Sequence, residues 1–303
     1  MQGIVLALAT LTGVCSLTGL LGSSHWFFDL FNHFRPQALV AGLTLLVFGV
    51  ALRYRTGVVL ACLILLLNGG LIATRLLTVQ SQPQTVSDEP VSLISANLLS
   101  SNNDHQAVRA MIQREAPDIF VALEADHEWT DALRFADAQY PHQLSYPRLD
   151  NFGMAVLSKR PFQGRVIRVD PGSVPLFHLD FGSFVLIAAH PPPPLGRQGA
   201  DSQKRYLREI LYLAEATSKP MIIAGDLNTT LWADTMKPLI SAGFSPANRT
   251  GMAWTWPTGF RPLGIQIDHI LVRGAKSDRF RTLPYIGSDH FPIAARFAPR
   301  TMP

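Results

Sequence analysis

The chain has 303 residues, 48% of them apolar and only 16% charged, with a formal net charge of +4. Residues 90–303 carry 22 Lys and Arg against 19 Asp and Glu, too small an excess to argue for the basic stripe of a duplex binder. Both cysteines, Cys15 and Cys62, lie near the N-terminus, so the rest of the chain has neither a disulfide framework nor a thiolate metal site.

The charge is split along the sequence. Residues 1–80 hold four arginines, one aspartate and no lysine or glutamate. Three apolar stretches fall there: Gly3–Gly22, about Gln37–Leu52, and Gly57–Thr74. A spanning helix needs roughly 17–25 apolar residues, so the first and third are long enough and the second is marginal. Residues 1–79 are therefore expected to be a transmembrane segment of three helices embedded in a lipid bilayer. No positive charge precedes the first stretch, which counts against a cleaved signal peptide. Arg53 and Arg55 favour a cytoplasmic turn, hence a C-terminal part facing away from the cytoplasm; Arg35 and Arg75 nearly cancel that bias. Residues 80–90 (QSQPQTVSDEP) are polar, contain two prolines and read as a linker.

From residue 91 onward the pattern becomes that of a globular domain, 91–303. Val91–Ala96 reads as a buried strand ending at Asn97, and Asp104–Glu115 as a helix with Val108, Met111 and Ile112 on one face. Asp118–Glu124 is another buried strand and Glu128–Tyr140 a helix. Gly153–Ser158, Phe184–Ala189 and Met221–Ala224 have strand character, with a helix expected over Ser202–Ala216. Ile265–Val272 and Pro292–Phe297 complete the set. Many short strands with a few helices imply an α/β fold of two packed sheets flanked by helices.

Six of these apolar runs meet a polar residue that a buried strand has no use for. They are Asn97, Glu124, His190, Asp226 with Asn228, Asp268, and Ser288-Asp289-His290. Singly, each has a plain explanation as a turn, a cap or a solvated strand end. Gathered at one rim, oxygen ligands suit a hard cation such as Mg²⁺, and a histidine beside an acid holds a proton or stabilises an oxyanion. That equipment serves attack by water on a phosphate ester.

The series Asn97, Glu124, Gly225-Asp226-Leu227-Asn228, Asp268-His269 and Ser288-Asp289-His290 resembles the endonuclease/exonuclease/phosphatase superfamily over residues 91–298. The resemblance implies a four-layer α/β sandwich and a Mg²⁺ (or Mn²⁺) cofactor. It implies Glu124 as principal metal ligand, with Asn97 and Asp289 in the same region. Asp226 would orient or deprotonate the attacking water, and Asn228 would hydrogen-bond the scissile phosphate. His290 would contact a non-bridging oxygen or act as the acid–base group, oriented by Asp268, while His190 matches a second histidine found in some branches.

The chain departs from abasic-site endonucleases in having Leu98 and Leu99 after Asn97 and Gln266 before Ile267. Pro191–Pro194 is a stiff stretch expected to wall one side of the cleft. Trp254 and Trp256 are readable as platforms for a base or sugar, or as packing against the loop before Asp268. Arg148, Lys159, Arg160, Arg165 and Arg168 read first as a solvated face. The expected activity is a metal-dependent phosphoesterase on a membrane-proximal substrate such as a lipid headgroup. A nuclease acting on DNA or RNA, and a non-catalytic membrane module that keeps the fold, stay open as alternatives.

Overall fold

A computed structural model describes residues 1–79, 89–170 and 172–299, so most of the expected linker, residues 80–90, lies outside the described residues. The chain divides into two compact units. One is Met1–Ser81 together with Thr230–Lys237; the other is Gln82–Thr229 with Pro238–Pro303.

The first unit is helical: α1 (Gln2–Thr18), the short α2 (Trp26–Asp29), α3 (Arg35–Ala51) and α4 (Arg55–Val79). Three segments, Gln2–Leu21, Trp26–Ala51 and Arg55–Leu77, are long and apolar enough to cross a membrane. α3 begins at Arg35 rather than Gln37, because Pro36 is well tolerated in a first helical turn, where its missing N–H is not needed. The tight turn after α3 closes through Leu52 N–H to Phe48 O (2.9 Å) and Tyr54 N–H to Gly49 O (2.8 Å). Val5, Ala9, Leu45, Ala61 and Ile64 form the inner seam, while Leu8, Leu11, Leu43, Val47, Leu63 and Leu66 face outward. An apolar interior with an apolar exterior suits a bilayer better than water.

Thr230–Lys237 are held in this unit by buried polar groups. The Asp29 carboxylate accepts from Asp234 N–H (2.7 Å), Thr235 N–H (3.0 Å) and Thr235 Oγ1 (2.8 Å). His33 Nδ1 lies 3.2 Å from Thr230 Oγ1.

The second unit contains two six-stranded sheets. The first uses β1 (Val91–Asn97), β2 (Ile119–Leu123), β3 (His142–Tyr146), β4 (Met154–Ser158), β11 (Ala275–Thr282) and β12 (Ile293–Pro299), in the order β11-β12-β1-β2-β4-β3. The second uses β5 (Gln163–Val169), β6 (Val174–Asp180), β7 (Val185–Ala189), β8 (Met221–Asp226), β9 (Ser245–Pro246) and β10 (Asp268–Arg273), in the order β5-β6-β7-β8-β10-β9. Each sheet has one parallel pair joined by a helical crossover. β1 and β2 are linked through α5 (His105–Glu115), and β7 and β8 through α7 (Gly196–Glu215); α6 (His127–Leu133) follows β2.

Alternation along β1 builds two cores at once. Val91 and Leu93 pack between the sheets with Val121, Leu186, Ile222 and Ile270, while Ile94 and Ala96 face Val108, Met111, Ile112 and Trp129 of the helices. The result is an α/β sandwich of two packed sheets flanked by helices.

Register decides where polar residues emerge. Asn97 pairs with Leu123, so Glu124 follows one step beyond the rim. Asp226, the last residue of β8, pairs directly with Asp268, the first of β10. Ala188 pairs with Ala224 in the parallel β7–β8 ladder, which brings His190 alongside Asp226. Ser95 pairs with Ile293 at the start of β12, so the Ser288–His290 segment reaches the same end.

The loop after β1 is tied to the loop before β12 by Asn102. Its buried Nδ2 donates to Leu98 O and Ile286 O, both at 3.0 Å, and its Oδ1 accepts from Asp104 N–H at 2.9 Å. Asn102→Ala removes all three and leaves buried carbonyls unpaired, at a cost of roughly 1–3 kcal/mol. Thermal unfolding of the full chain in detergent should show a drop of several degrees; an unchanged midpoint would mean the loop is held by other contacts.

Candidate active site

Asp226 is the hub of the polar cluster. It ends β8 with its carboxylate buried, Oδ1 accepting from Asn228 N–H at 2.8 Å. Its Oδ2 lies 3.6 Å from His190 Nε2, 3.7 Å from His290 Nε2 and 3.4 Å from Asn97 Nδ2. The other nitrogen of His290, Nδ1, sits 2.9 Å from Asp268 Oδ2. Two carboxylates that pair across the β8–β10 ladder thus bracket one imidazole.

The electrostatics follow from that bracket. Burial alone pulls an imidazole pKa down; at His290 the charges of Asp268 and Asp226 outweigh it and raise the value to about 10. His190 lacks such a pair of close carboxylates and burial dominates, lowering it to about 4. At neutral pH His290 is an imidazolium and His190 a neutral imidazole. Asp226 is pushed up by burial despite the His290 charge, whereas Asp268, directly bonded to His290 and Thr255, is held below the usual carboxylate range in spite of its burial. Of the two acids, Asp226 is the one readier to accept a proton.

Glu124 and Asn97 form the second half of the site. Asn97 Nδ2 donates to Glu124 Oε1 at 3.0 Å, and Ser100 N–H lies 3.3 Å from Oε2. Glu124 is buried, which pushes its carboxyl up, and among the described residues no lysine or arginine pairs with it. Asp289 contributes its charge from the same side, although its Oδ2 also accepts from Trp256 Nε1 at 3.0 Å. The residues the sequence singled out therefore come together at one end of the sandwich.

Two of them have hydrogen-bond partners within the protein. Trp256 has its indole N–H on Asp289 and its ring tilted toward His290 at 6.4 Å, so it braces the site. Asn228 donates one amide hydrogen to Pro191 O at 3.0 Å, leaving the other to point elsewhere. Lys159 donates to Ala116 O, and Arg148 pairs with Asp150 at 2.6 Å, so these two members of the basic run have local partners.

Further groups support the site; Thr255 and Gln203 carried no such role in the sequence, whereas Ser288 belongs to the Ser288-Asp289-His290 signal. Thr255 Oγ1 lies 3.1 and 3.2 Å from the backbone N–H groups of Ile267 and Asp268, capping the entry to β10. Gln203 on α7 donates to Leu227 O and Asn228 O at 3.1 and 2.8 Å and so fixes the turn after β8. Ser288 Oγ accepts from His290 N–H at 3.1 Å, a short turn that the spacing S-D-H would have allowed.

A family model described as the Endonuclease/Exonuclease/phosphatase family matches residues 94–290. The chain belongs to the endonuclease/exonuclease/phosphatase family. A search of curated proteins finds no match to the sequence. Among solved structures, an endonuclease/exonuclease/phosphatase from Beutenbergia cavernae is similar with a TM-score of 0.58 at 18% identity, over 70% of this chain and 72% of that one. D. rerio TDP2, in a humanized form, gives 0.57 at 17% identity over 69% of this chain and 98% of its own. Sphingomyelinase C from Streptomyces griseocarneus gives 0.51 at 17%, over 69% and 99%. At such identities the likeness is one of fold.

Members of this family are divalent-metal-dependent phosphoester hydrolases. The donor set fits a hard cation: Glu124 is a buried carboxylate with no lysine or arginine paired to it among the described residues, and Asn97 stands at hydrogen-bond distance. Asp226, Asp268 and His290 also lie within 4.8 Å of one another. Because Asp268 is already bonded to His290 Nδ1, that trio is better described as an oriented acid–imidazole pair facing a second acid.

In this family member, His290 should remain protonated well above neutrality. NMR of ¹⁵N-imidazole-labelled full chain in detergent would show it titrating far above the usual histidine value of about 6.5. Asp268→Asn removes the direct charge partner, and His290 should then titrate about one to three pH units lower. No movement in that variant would mean that Asp268 does not set the imidazole.

Proposed function

We propose that this chain is a membrane-embedded, divalent-metal-dependent phosphoesterase whose water-attack chemistry is carried by Asp226, His290 and Asn228. The observation that carries the reading is the bracketed imidazole, with His290 bonded to Asp268 at 2.9 Å while its other nitrogen lies 3.7 Å from Asp226. A solvated acidic patch has no reason to bury two carboxylates opposite each other around a charged histidine.

Glu124 and Asn97, with Asp289 supporting them, would hold Mg²⁺ or Mn²⁺. A cation bound there supplies charge neutralisation on the phosphate and Lewis-acid assistance. Asp226, raised by burial, orients a water molecule and takes its proton as the water oxygen attacks phosphorus. His290, as imidazolium, donates to a phosphoryl oxygen and stabilises the charge that builds there. Asp268 keeps it aligned and charged. Asn228 offers its remaining amide N–H to the same phosphate, and neutral His190 flanks Asp226. The phosphorus–oxygen ester bond breaks, the departing alkoxide takes a proton from solvent and leaves as the alcohol, and Asp226 returns its proton to solvent.

For the substrate class we favour a membrane-proximal phosphate ester such as a lipid headgroup. The three apolar helices and the sphingomyelinase C among similar folds support this. A nucleic acid is the second reading, supported by a similar fold in D. rerio TDP2 complexed with single-strand DNA product, at 18% identity. A groove of about 740 Å³ lined by Trp254, Tyr285, Phe291 and Leu283, Phe291 being next to His290 in sequence, offers apolar and aromatic surface to either. For topology we propose that the catalytic unit faces away from the cytoplasm, on the strength of Arg53 and Arg55 in the turn after α3.

The test uses the full chain in detergent against a generic phosphodiester, single-stranded DNA and a phospholipid panel, with Mg²⁺, Mn²⁺ or chelator. Turnover should vanish with chelator and return with metal. Asp226→Asn and His290→Ala should each lower kcat by roughly 10²–10⁴-fold. Glu124→Gln should raise the half-saturating metal concentration at least tenfold while leaving the fold intact. Metal-independent turnover, or full activity in the Asp226 variant, would overturn the assignment. A reporter fused after Pro303 should be active only outside the cytoplasm; activity inside would reverse the topology.

A further inference from the structure

The helical unit contains a polar cavity that the chemistry above does not use. It measures about 310 Å³ and is lined by Gly19 and Leu20 at the end of α1, Asn32 and Arg35 at the start of α3, Ile72 and Arg75 near the end of α4, and Trp232, Asp234 and Lys237. An up-down-up arrangement of α1, α3 and α4 puts all three of those helix ends on one side. In a helix set that crosses a bilayer, that side lies at the boundary between hydrocarbon and headgroups.

The cavity wall is a buried hydrogen-bonded framework. Arg35, 3% exposed, donates through Nη1 to Ser16 O (2.8 Å) and Asn68 Oδ1 (3.0 Å) and through Nε and Nη2 to Asn32 Oδ1 (3.0 and 2.6 Å). Arg35 is thus structural: it closes the end of α1. Arg35 can approach the end of α1 this closely because position 19 has no side chain, since a Cβ there would stand 2.5 Å from Arg35 Nη2.

Arg75 is placed differently. It is partly buried, lines the same cavity, and has no hydrogen-bond or ion-pair partner among the described residues; Asp234 and Asp29 act on it only through their charge. Both of those acids are already engaged. Asp29 accepts three hydrogen bonds from Asp234 and Thr235, and Asp234 pairs with Lys237 at 2.5 Å. Three cations, Arg35, Arg75 and Lys237, therefore face two committed carboxylates, and one positive charge is left uncompensated. A cation withdrawn from water at the edge of a membrane is costly until an anion joins it.

We propose that this cavity binds the phosphate of an anionic membrane lipid, with Arg75 and Lys237 as the contacting cations. The single excess charge matches a phosphodiester, and a headgroup that also carries an ammonium would be repelled by the same cluster. Lipid is favoured over free phosphate because the flanks of the cavity are apolar helices with outward-facing Leu20, Leu71 and Leu77. The inference rests on the reading that these helices cross a bilayer.

The test measures binding by the full chain in neutral detergent, by native mass spectrometry, with phosphatidylglycerol, phosphatidylcholine or inorganic phosphate as probe. Wild type should retain phosphatidylglycerol at least roughly tenfold more tightly than phosphatidylcholine. Arg75→Met and Lys237→Met should each lower that affinity roughly tenfold, the scale of one charge-assisted contact, with unchanged thermal melting. Equal retention of the two lipids, or undiminished binding in a folded Arg75→Met or Lys237→Met chain, overturns the proposal. Inorganic phosphate bound as tightly as phosphatidylglycerol assigns the cavity to free phosphate and overturns the lipid. Failure of the membrane reading shows separately, as chain left in the supernatant when detergent-free lysates are centrifuged, and the binding readout does not depend on turnover.

Discussion

Asp226 and Asp268 face each other across the β8–β10 ladder, buried, in a register where like charges ordinarily repel. What makes the pair tolerable is the His290 imidazolium, bonded to one acid and within 3.7 Å of the other. The rest of the site depends on that arrangement. Without the imidazolium, two buried carboxylates would compete for one proton, and the difference between an acid that stays ionised and one that readily takes a proton would be lost. Asymmetry comes from geometry: Asp268 is held by direct bonds, while Asp226 stands at 3.4–3.7 Å from Asn97, His190 and His290.

The sheets supply the frame for this contact. Parallel pairing of β1 with β2 and of β7 with β8 sends four strand ends in matching directions, and antiparallel pairing to β12 and β10 brings two strand beginnings to meet them. Six polar groups then converge although they are spread from Asn97 to His290 in sequence. The apolar faces between the sheets fix the register, because a one-residue slip would turn Leu93, Val121 and Ile222 out of the core. Precision at the rim is thus a consequence of packing in the middle.

That logic explains what could be read in advance. Strands such as β2, β7 and β8 are buried along their whole length, so they appear as continuous apolar runs, and a polar residue at their end stands out. The edge strands β3, β5 and β11 were not legible, because exposed stretches such as Gln163-Gly164-Arg165 carry no apolar pattern. Helix limits also shifted. α7 starts at Gly196, whose φ of +75° turns the chain out of the proline run, instead of at Ser202. α6 stops at Leu133 and tightens into a single turn, short of the expected Tyr140. Thr255 and Gln203 act on backbone groups that only the folded chain brings near, and the bond from Trp256 to Asp289 spans 33 residues. No local spacing encodes such partners.

Backbone conformation shows where the fold gives up stability for this site. Leu99, Glu124 and Asn228 all have positive φ, at +61°, +56° and +50°, a region that costs a residue with a side chain roughly 1–2 kcal/mol. Each lies one or two residues past the end of a strand. A continuing β conformation would carry the next side chain to the opposite face, away from the rim; a left-handed step instead turns the chain back across it. Gly225 makes the companion demand, since a Cβ there would stand 1.9 Å from Ala189 O and force β7 and β8 apart at the level of His190 and Asp226. Strain of this kind persists only where surrounding contacts over-determine it. Gln203 on the carbonyls after β8, Ser100 on Glu124 and Asn102 across the β1 and β12 loops are those contacts, so the polar residues nobody would assign to chemistry are what hold the chemical ones in place.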